Sequence, residues 1–340
     1  MASLIVALFL SCAPKTGVQS NISTQSLKLI AGSCNHQLKD QTHWKYLSQE
    51  RAQYYLALGD NVYADKRIVT ADGPVFETSL EQLKTAYSIQ AGHSEFQKFL
   101  ETIKIIPTWD DHDYGLNDAG HELEFAVESQ AEFLSFWAVP KSDPRWDRAG
   151  IYHSQMLFAE NKNIQLIVLD TRYFRSSLPA LEKANSAPYG QDHSIEKTML
   201  GDTQWEWLEA ALRVPADLRI VLSSIQLLSD SHIYERWGTF PLEKKRLMTL
   251  LQAAGPSLVV SGDRHLGAIY HDQRFPDLWE LTTSSLNAPF DGADDQEPLR
   301  IGDFTGAPNF GRIEIQDGLL LFSLVELNGR LVSQQSIRLP

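Results

Sequence analysis

The chain has 340 residues, 43% of them hydrophobic and 10% aromatic, which supports a full packed core and excludes a disordered polymer. Its formal net charge of −13 excludes nucleic acid as the main partner, because phosphate backbones are gripped by stripes of Lys and Arg. An acidic chain can still bind a phosphorylated small molecule when bound metal supplies the positive charge.

Met1 to Ser20 differs from the rest. Leu4 to Leu10 is an apolar run too short to span a bilayer, and Ser11-Cys12 follows at once. The segment resembles a bacterial lipoprotein signal with Cys12 as the lipidated residue, although no Lys or Arg precedes the run. A plain secretory signal is the alternative. Either implies an exported protein, periplasmic or at the outer membrane or cell surface, and a lipidated Cys12 would give membrane contact. Residues 1–25 are expected to be leader and tether, and 26–340 the folded domain. The chain has two cysteines, so a lipidated Cys12 leaves Cys34 without a disulfide partner. A lone thiol in an oxidising compartment needs burial or a metal.

In the folded part, Leu27–Ala31 reads as a strand running into Gly32-Ser33-Cys34. A helix-like segment around Trp44 and Leu47 leads to a strand over 54–58, which ends in Gly59-Asp60-Asn61-Val62-Tyr63-Ala64-Asp65. Ser79 to Leu100 has helical spacing. The strand Ile105-Ile106-Pro107-Thr108 ends in Trp109-Asp110-Asp111-His112-Asp113-Tyr114, and Glu124–Trp137 reads as a helix. Ile164–Leu169 is a strand ending in Asp170-Thr171-Arg172, and Ser176–Ser194 reads as a surface loop. A helix opens near Gly201, with Asp202 as its expected N-cap. Strands at 219–222 and 257–260 flank a helix over 244–254, and the second ends in Gly262-Asp263-Arg264-His265. Leu278–Thr282 continues the pattern. Strands at 312–315, 319–325 and 331–337, joined by Asp317-Gly318 and Asn328-Gly329, read as an antiparallel meander. Alternation followed by a meander predicts mixed sheets in one layered α/β domain.

Four apolar strands therefore end in metal-type ligands: Cys34, Asp60 with Tyr63, the Asp110–Asp113 cluster, and Asp263 with His265. Ligands gather at the carboxyl ends of strands in α/β sheets. Each motif alone is weak, since Gly-Asp after a strand is often a turn and a lone His often structural. Together they predict one polyvalent site of mostly hard, anionic ligands with one soft sulfur, which suits a trivalent iron or a multi-metal centre.

Gly32-Ser33-Cys34, Gly59-Asp60 with Tyr63-Ala64-Asp65, the block from Trp109 to Asp118, Leu169-Asp170-Thr171-Arg172 and Gly262-Asp263 with His265 resemble the PhoD-like alkaline phosphatases and phosphodiesterases of the calcineurin-like superfamily. The resemblance runs from Leu27 to the meander. It implies two mixed β-sheets sandwiched between helices (αββα) and a phosphoester hydrolase that uses a metal-activated hydroxide. It implies Cys34 and Tyr63 as ligands to Fe(3+), Asp60 bridging to a second metal such as Ca(2+), and Asp111, Asp263 and His265 as further ligands. Mn, Zn or Mg are alternative metals. His112 matches the family's catalytic histidine. Arg172 is read either as a grip on a substrate phosphate or as a partner of Asp170, and Asp110 and Asp113 as direct ligands or as support. The superfamily's usual histidine after the strand at 219–222 is absent, with Ser224 or Gln226 in its place.

Two rival readings follow from other residues. A non-catalytic surface lipoprotein would use Trp205, Trp207 and Trp237 as a glycan-contacting face, although their spacing favours helix core packing over such a face. A Cys34-dependent hydrolase would need an activated thiol.

Overall fold

A computed structural model describes residues 26–70, 73–179, 189–290 and 292–340. The leader and Cys12 lie outside the described residues, as does the middle of the expected loop after Ser176.

In chain order the first half gives β1 (Leu27–Gly32), α1 (His43–Gln49), β2 (Tyr54–Leu58), β3 (Lys66–Thr70), β4 (Gly73–Glu77), α2 (Leu80–Ala91), α3 (Ser94–Leu100), β5 (Lys104–Thr108), α4 (Asp111–Tyr114) and α5 (Ala126–Phe136). The second half gives β6 (His153–Ala159), β7 (Lys162–Val168), α6 (Gly201–Leu212), β8 (Leu218–Ser223), α7 (Pro241–Ala254), β9 (Ser257–Ser261), β10 (Gly267–His271), β11 (Leu278–Thr282), β12 (Arg300–Thr305), β13 (Asn309–Gln316), β14 (Leu319–Glu326) and β15 (Leu331–Arg338).

One sheet has the order β15-β14-β13-β1-β2-β5 and the other β12-β10-β11-β9-β8-β7-β6. β1, β2 and β5 run parallel in the first, and β7, β8, β9 and β11 in the second. Parallel strands need both faces covered, which is why their sequences are largely apolar. Alternation assigns the faces. Leu27, Leu29 and Ala31 of β1 point into the core between the sheets, where they meet Leu166, Val168, Leu258 and Phe322. Ile30 points outward to Trp44 and Leu47 of α1 and Phe96 and Phe99 of α3. On the other side Ile167, Val221 and Val259 are covered by Trp205 and Leu208 of α6 and Leu247 and Leu251 of α7. The result is the αββα sandwich.

The structure departs from the sequence expectation at particular elements. The helical stretch after Ser79 is two helices, because Gly92 ends α2 and His93 takes extended backbone before α3. Asp202 is not the cap of α6. Leu200 holds that position and Asp202 lies in the first turn, where its charge still favours the positive helix end. The exposed hairpin β3–β4 and the strands β6, β10 and β12 were not anticipated. Among the described residues, no helix is long and apolar enough to cross a membrane.

Candidate metal centre

The carboxyl ends of β1, β2 and β5 meet those of β8, β9 and β11 at one edge of the sandwich. Backbone hydrogen bonds join them: Gly262 N donates to Ser224 O at 2.9 Å, and Leu286 N to Ser33 O at 2.9 Å. A Cβ on Gly262 would come within 2.7 Å of Ser33, and one on Gly59 within 2.5 Å of Asp110 Cβ, so glycine is what lets these loops close. Cys34, Asp60, Asp263 and His265 all adopt φ between 50° and 66°. Left-handed backbone is costly for such residues and concentrates at functional sites.

Three groups of ligand atoms result, each lying within 4.8 Å: Cys34, Asp60 and His265; Asp60, Asp111 and His112; and Asp110, Asp111 and Asp263. Asp60 belongs to the first two groups and Asp111 to the last two. Asp60 Oδ2 lies 3.4 Å from Cys34 Sγ and 3.3 Å from Tyr63 Oη. Asp60 Oδ1 and Asp110 Oδ2 are buried and accept no hydrogen bond. Burial pushes the Asp60 carboxyl well above its usual range, helped by the neighbouring Cys34 and Asp111 charges. Burial likewise raises Asp263, next to Asp110 and Asp111. Buried, crowded carboxylates with unfilled oxygens are what a polyvalent cation neutralises, so these residues fit a metal centre.

His265 is oriented for ligation. Its Nδ1 contacts the Ala288 carbonyl, its N–H donates to Ser284 Oγ at 2.9 Å, and burial pushes the imidazole down to about 4. A neutral ring with Nδ1 occupied presents Nε2. Cys34 is buried, lies 2.9 Å from Ser284 Oγ, and burial pushes its thiol up to about 11. Tyr63 stacks between His36 and His112, with ring centroids 4.9 and 4.3 Å away.

His112 Nδ1 sits 2.6 Å from Asp65 Oδ1. Burial opposes its charged form, but Asp111 and Asp65 outweigh it and lift the imidazole to about 10. The carboxylates of the opening cluster separate by hydrogen bonding. Asp113 accepts from Asp110 N at 2.6 Å, Asp60 N at 3.1 Å, Asn61 N at 3.2 Å and Asn61 Nδ2. It ties the β2 and β5 loops together and has no oxygen left for a metal. Asp110 keeps one oxygen free and gives the other to Arg172 and to Ser224 at 2.6 Å. Ser224 thus steadies an aspartate.

Arg172 needs correction. Its guanidinium is fully buried and ion-paired with Asp110 and Glu235, so it does not reach substrate. Nor is Asp170 its side-chain partner: that carboxylate takes the Arg172 and Tyr173 backbone N–H groups and the Trp109 indole. Glu235 also pairs with Arg175 at 2.8 Å. Asp65, Ser284 and Glu235 are supports that strand-end reasoning did not single out. The glycan face of the non-catalytic alternative is not formed: Trp205 and Trp237 are buried, with their indoles donating to Glu243 and Ser223, and the half-buried Trp207 packs against the same core.

The centre opens into a cavity of about 820 Å³ walled by His36, Tyr63, Asp111, His112, Asp263 and His265, and beyond them by Phe76, Tyr234, Arg264 and Phe290. A two-sheet sandwich with a carboxylate-rich centre at its strand ends defines a metallophosphoesterase architecture.

Comparison with known proteins agrees. The family profile for PhoD-like phosphatases matches residues 29–309. A solved structure of PhoD superposes with a TM-score of 0.69 at 17% identity, covering 93% of this chain and 73% of that one. A structure described as GAP50, the anchor in the inner membrane complex of Plasmodium, gives 0.59 at 14% identity, with 93% and 90% coverage. The purple acid phosphatase PPD1 from yellow lupin gives 0.57 at 12% identity and covers 93% of this chain but 54% of its own. No curated protein sequence matches the chain. The chain belongs to the PhoD-like phosphatase family and is a metal-dependent phosphoester hydrolase.

Proposed function

We propose that the protein is an exported phosphomonoesterase or phosphodiesterase whose centre holds Fe(3+) at the Cys34–Tyr63 end and Ca(2+) at the Asp111–Asp263 end. The observation that carries this reading is the overlap of the three ligand groups, with Asp60 shared between the sulfur-containing set and the next. Thiolate and phenolate suit a ferric ion, and an all-carboxylate set suits calcium. Asp110, with one oxygen free beside Asp111 and Asp263, joins the ligands.

When bound, the metals would supply Lewis-acid charge to the phosphoryl oxygens and a water of lowered pKa. The chain's own part is positioning and proton supply. Asp65 holds His112 at Nδ1, and a charged imidazole then carries a second proton at Nε2 for the leaving oxygen. Tyr63 and Phe76 pack against the His112 ring.

Metal analysis of purified protein should find iron and calcium. Asp60→Asn should lower the bound metal and cut kcat/KM on a chromogenic phosphoester by about 100-fold or more. Turnover within a few-fold of wild type would remove Asp60 from the centre. The Cys34-nucleophile reading is disfavoured, since a buried thiol raised to about 11 is mostly unreactive at neutral pH.

Export and tethering through Cys12 rest on the apolar run before Ser11-Cys12. In bacteria, the full chain should incorporate labelled fatty acid and fractionate with membranes, and Cys12→Ala should lose the label. An unlabelled wild-type chain in the soluble cytoplasmic fraction contradicts this.

A further inference from the structure

Two arginines line the cavity outside the centre, Arg67 on the β3–β4 hairpin and Arg264 beside the ligands. Arg264 lies between the ligands Asp263 and His265, lines the cavity, and makes no ion pair among the described residues. Its Nε–H is buried and donates to no partner. The guanidinium instead lies 4.8 Å from the Tyr234 ring centroid, a contact that orients the planar fork. The neighbouring cations are answered: Asp230 lies 2.6 Å from Lys244 Nζ and 3.6 Å from Arg236 Nε. Arg264 has no such carboxylate.

His232 stands on the same wall, and both its ring nitrogens are buried without a hydrogen-bond partner. Burial and the charges of Arg264, Arg236 and Lys244 push its imidazole down to about 2. A neutral histidine offers one N–H, so the wall presents a guanidinium Nε–H and an imidazole donor that make no hydrogen bond to a protein acceptor. Ile233, Leu266 and Phe290 line the same wall. An apolar surround strengthens a charge-assisted hydrogen bond by excluding water.

We propose that Arg264 and His232 form a second anion subsite, which binds a phosphate carried on the leaving group while the metal centre engages the scissile phosphoryl group. The proposal rests on the phosphoester-hydrolase reading and adds a substrate class to it: esters bearing a second phosphate a short spacer away. The guanidinium fork suits the paired oxygens of phosphate, and His232 supplies a further donor.

The test uses metal-loaded full-length protein and two matched probe series: n-alkyl monophosphates, and alkane-α,ω-diol bisphosphates with spacers from ethylene to hexylene. At the best spacer the bisphosphate should be preferred in kcat/KM by about tenfold over the monophosphate of equal length. Arg264→Gln should collapse that ratio toward one, and Arg264→Lys should keep part of it. Raising ionic strength should shrink the wild-type ratio, a readout that needs no variant. A ratio near one at every spacer, with the monophosphates turned over, overturns the subsite and leaves the hydrolase reading standing. A preference retained in Arg264→Gln also overturns it. Failure to hydrolyse either series or the methyl phosphodiester counterparts of both overturns both readings.

Discussion

Asp111 and Asp113 stand two residues apart in one short helix, and residue type alone does not tell them apart, although the family resemblance gives the ligand role to Asp111 and leaves Asp113 open. The structure separates them by what fills their oxygens. Asp113 takes four N–H groups from the β2 and β5 loops, so it is a brace. Asp111 takes His112 N at 2.9 Å and Asp118 N at 2.7 Å and still faces Asp60 and Asp263. The nearby His112 and Arg172 charges hold it below the usual carboxylate range against the effect of burial. Asp113→Ala should strand several buried donors at about 1–3 kcal/mol each before relaxation, for a net destabilisation of about 3 kcal/mol or more. Urea unfolding of metal-free protein checks this without interference from metal loss. A midpoint change worth less than about 1 kcal/mol would show the loops held together by other means. The same ambiguity explains Arg172. Its partners Asp110 and Glu235 lie 62 and 63 positions away, so only the adjacent Asp170 was visible as an alternative to substrate.

At the level of elements, legibility followed burial. β1, β2, β5, β8, β9 and β11 are largely buried, so their sequences are mainly apolar with clear ends, and the ligands at those ends could be read. The meander strands were legible for another reason: Asp317 and Gly318, both at positive φ, fix the first hairpin turn. The hairpin β3–β4 carried neither signal. All five β3 residues are exposed, and Lys66-Arg67-Ile68-Val69-Thr70 alternates weakly. Yet this hairpin sends Arg67 and Phe76 to the cavity. The wall opposite is built by the loop after β8, pinned by the buried Glu280, which accepts from Leu227 N at 2.8 Å and Leu228 N at 2.6 Å. Such a tie spans more than 50 positions and leaves no local trace. Ligands could be inferred from where strands stop, whereas the cavity walls depend on non-local contacts.

For the whole molecule, the concentration of acids at one edge couples folding to metal and pH. Asp110, Asp113 and Asp118 are each pushed up to about 7, chiefly by burial. In metal-free protein the native state therefore keeps protons that the unfolded chain releases above 3.8. These carboxyls make stability fall as pH rises through that window, because the native form holds more protons on them there. The buried neutral histidines His43, His153, His232 and His265, pushed down to between about 2 and 4, work the other way up to about 6.5. His112 adds a second stage in the direction of the carboxyls. Its folded value near 10 exceeds the ordinary 6.5, so its contribution is full below 6.5 and is lost as pH rises through about 10. Metal binding needs the deprotonated carboxylates and removes their mutual repulsion, so its gain should grow over the same range. Chelator-stripped protein should melt lower at about pH 8 than at about pH 5, and metal-loaded protein should lose much less over that interval. Calorimetric melting of both forms at both pH values measures the difference directly. A metal-dependent gain in Tm that is equal at the two values, or larger at the acid one, contradicts the placement of Asp110, with Asp60, Asp111 and Asp263, around a cation.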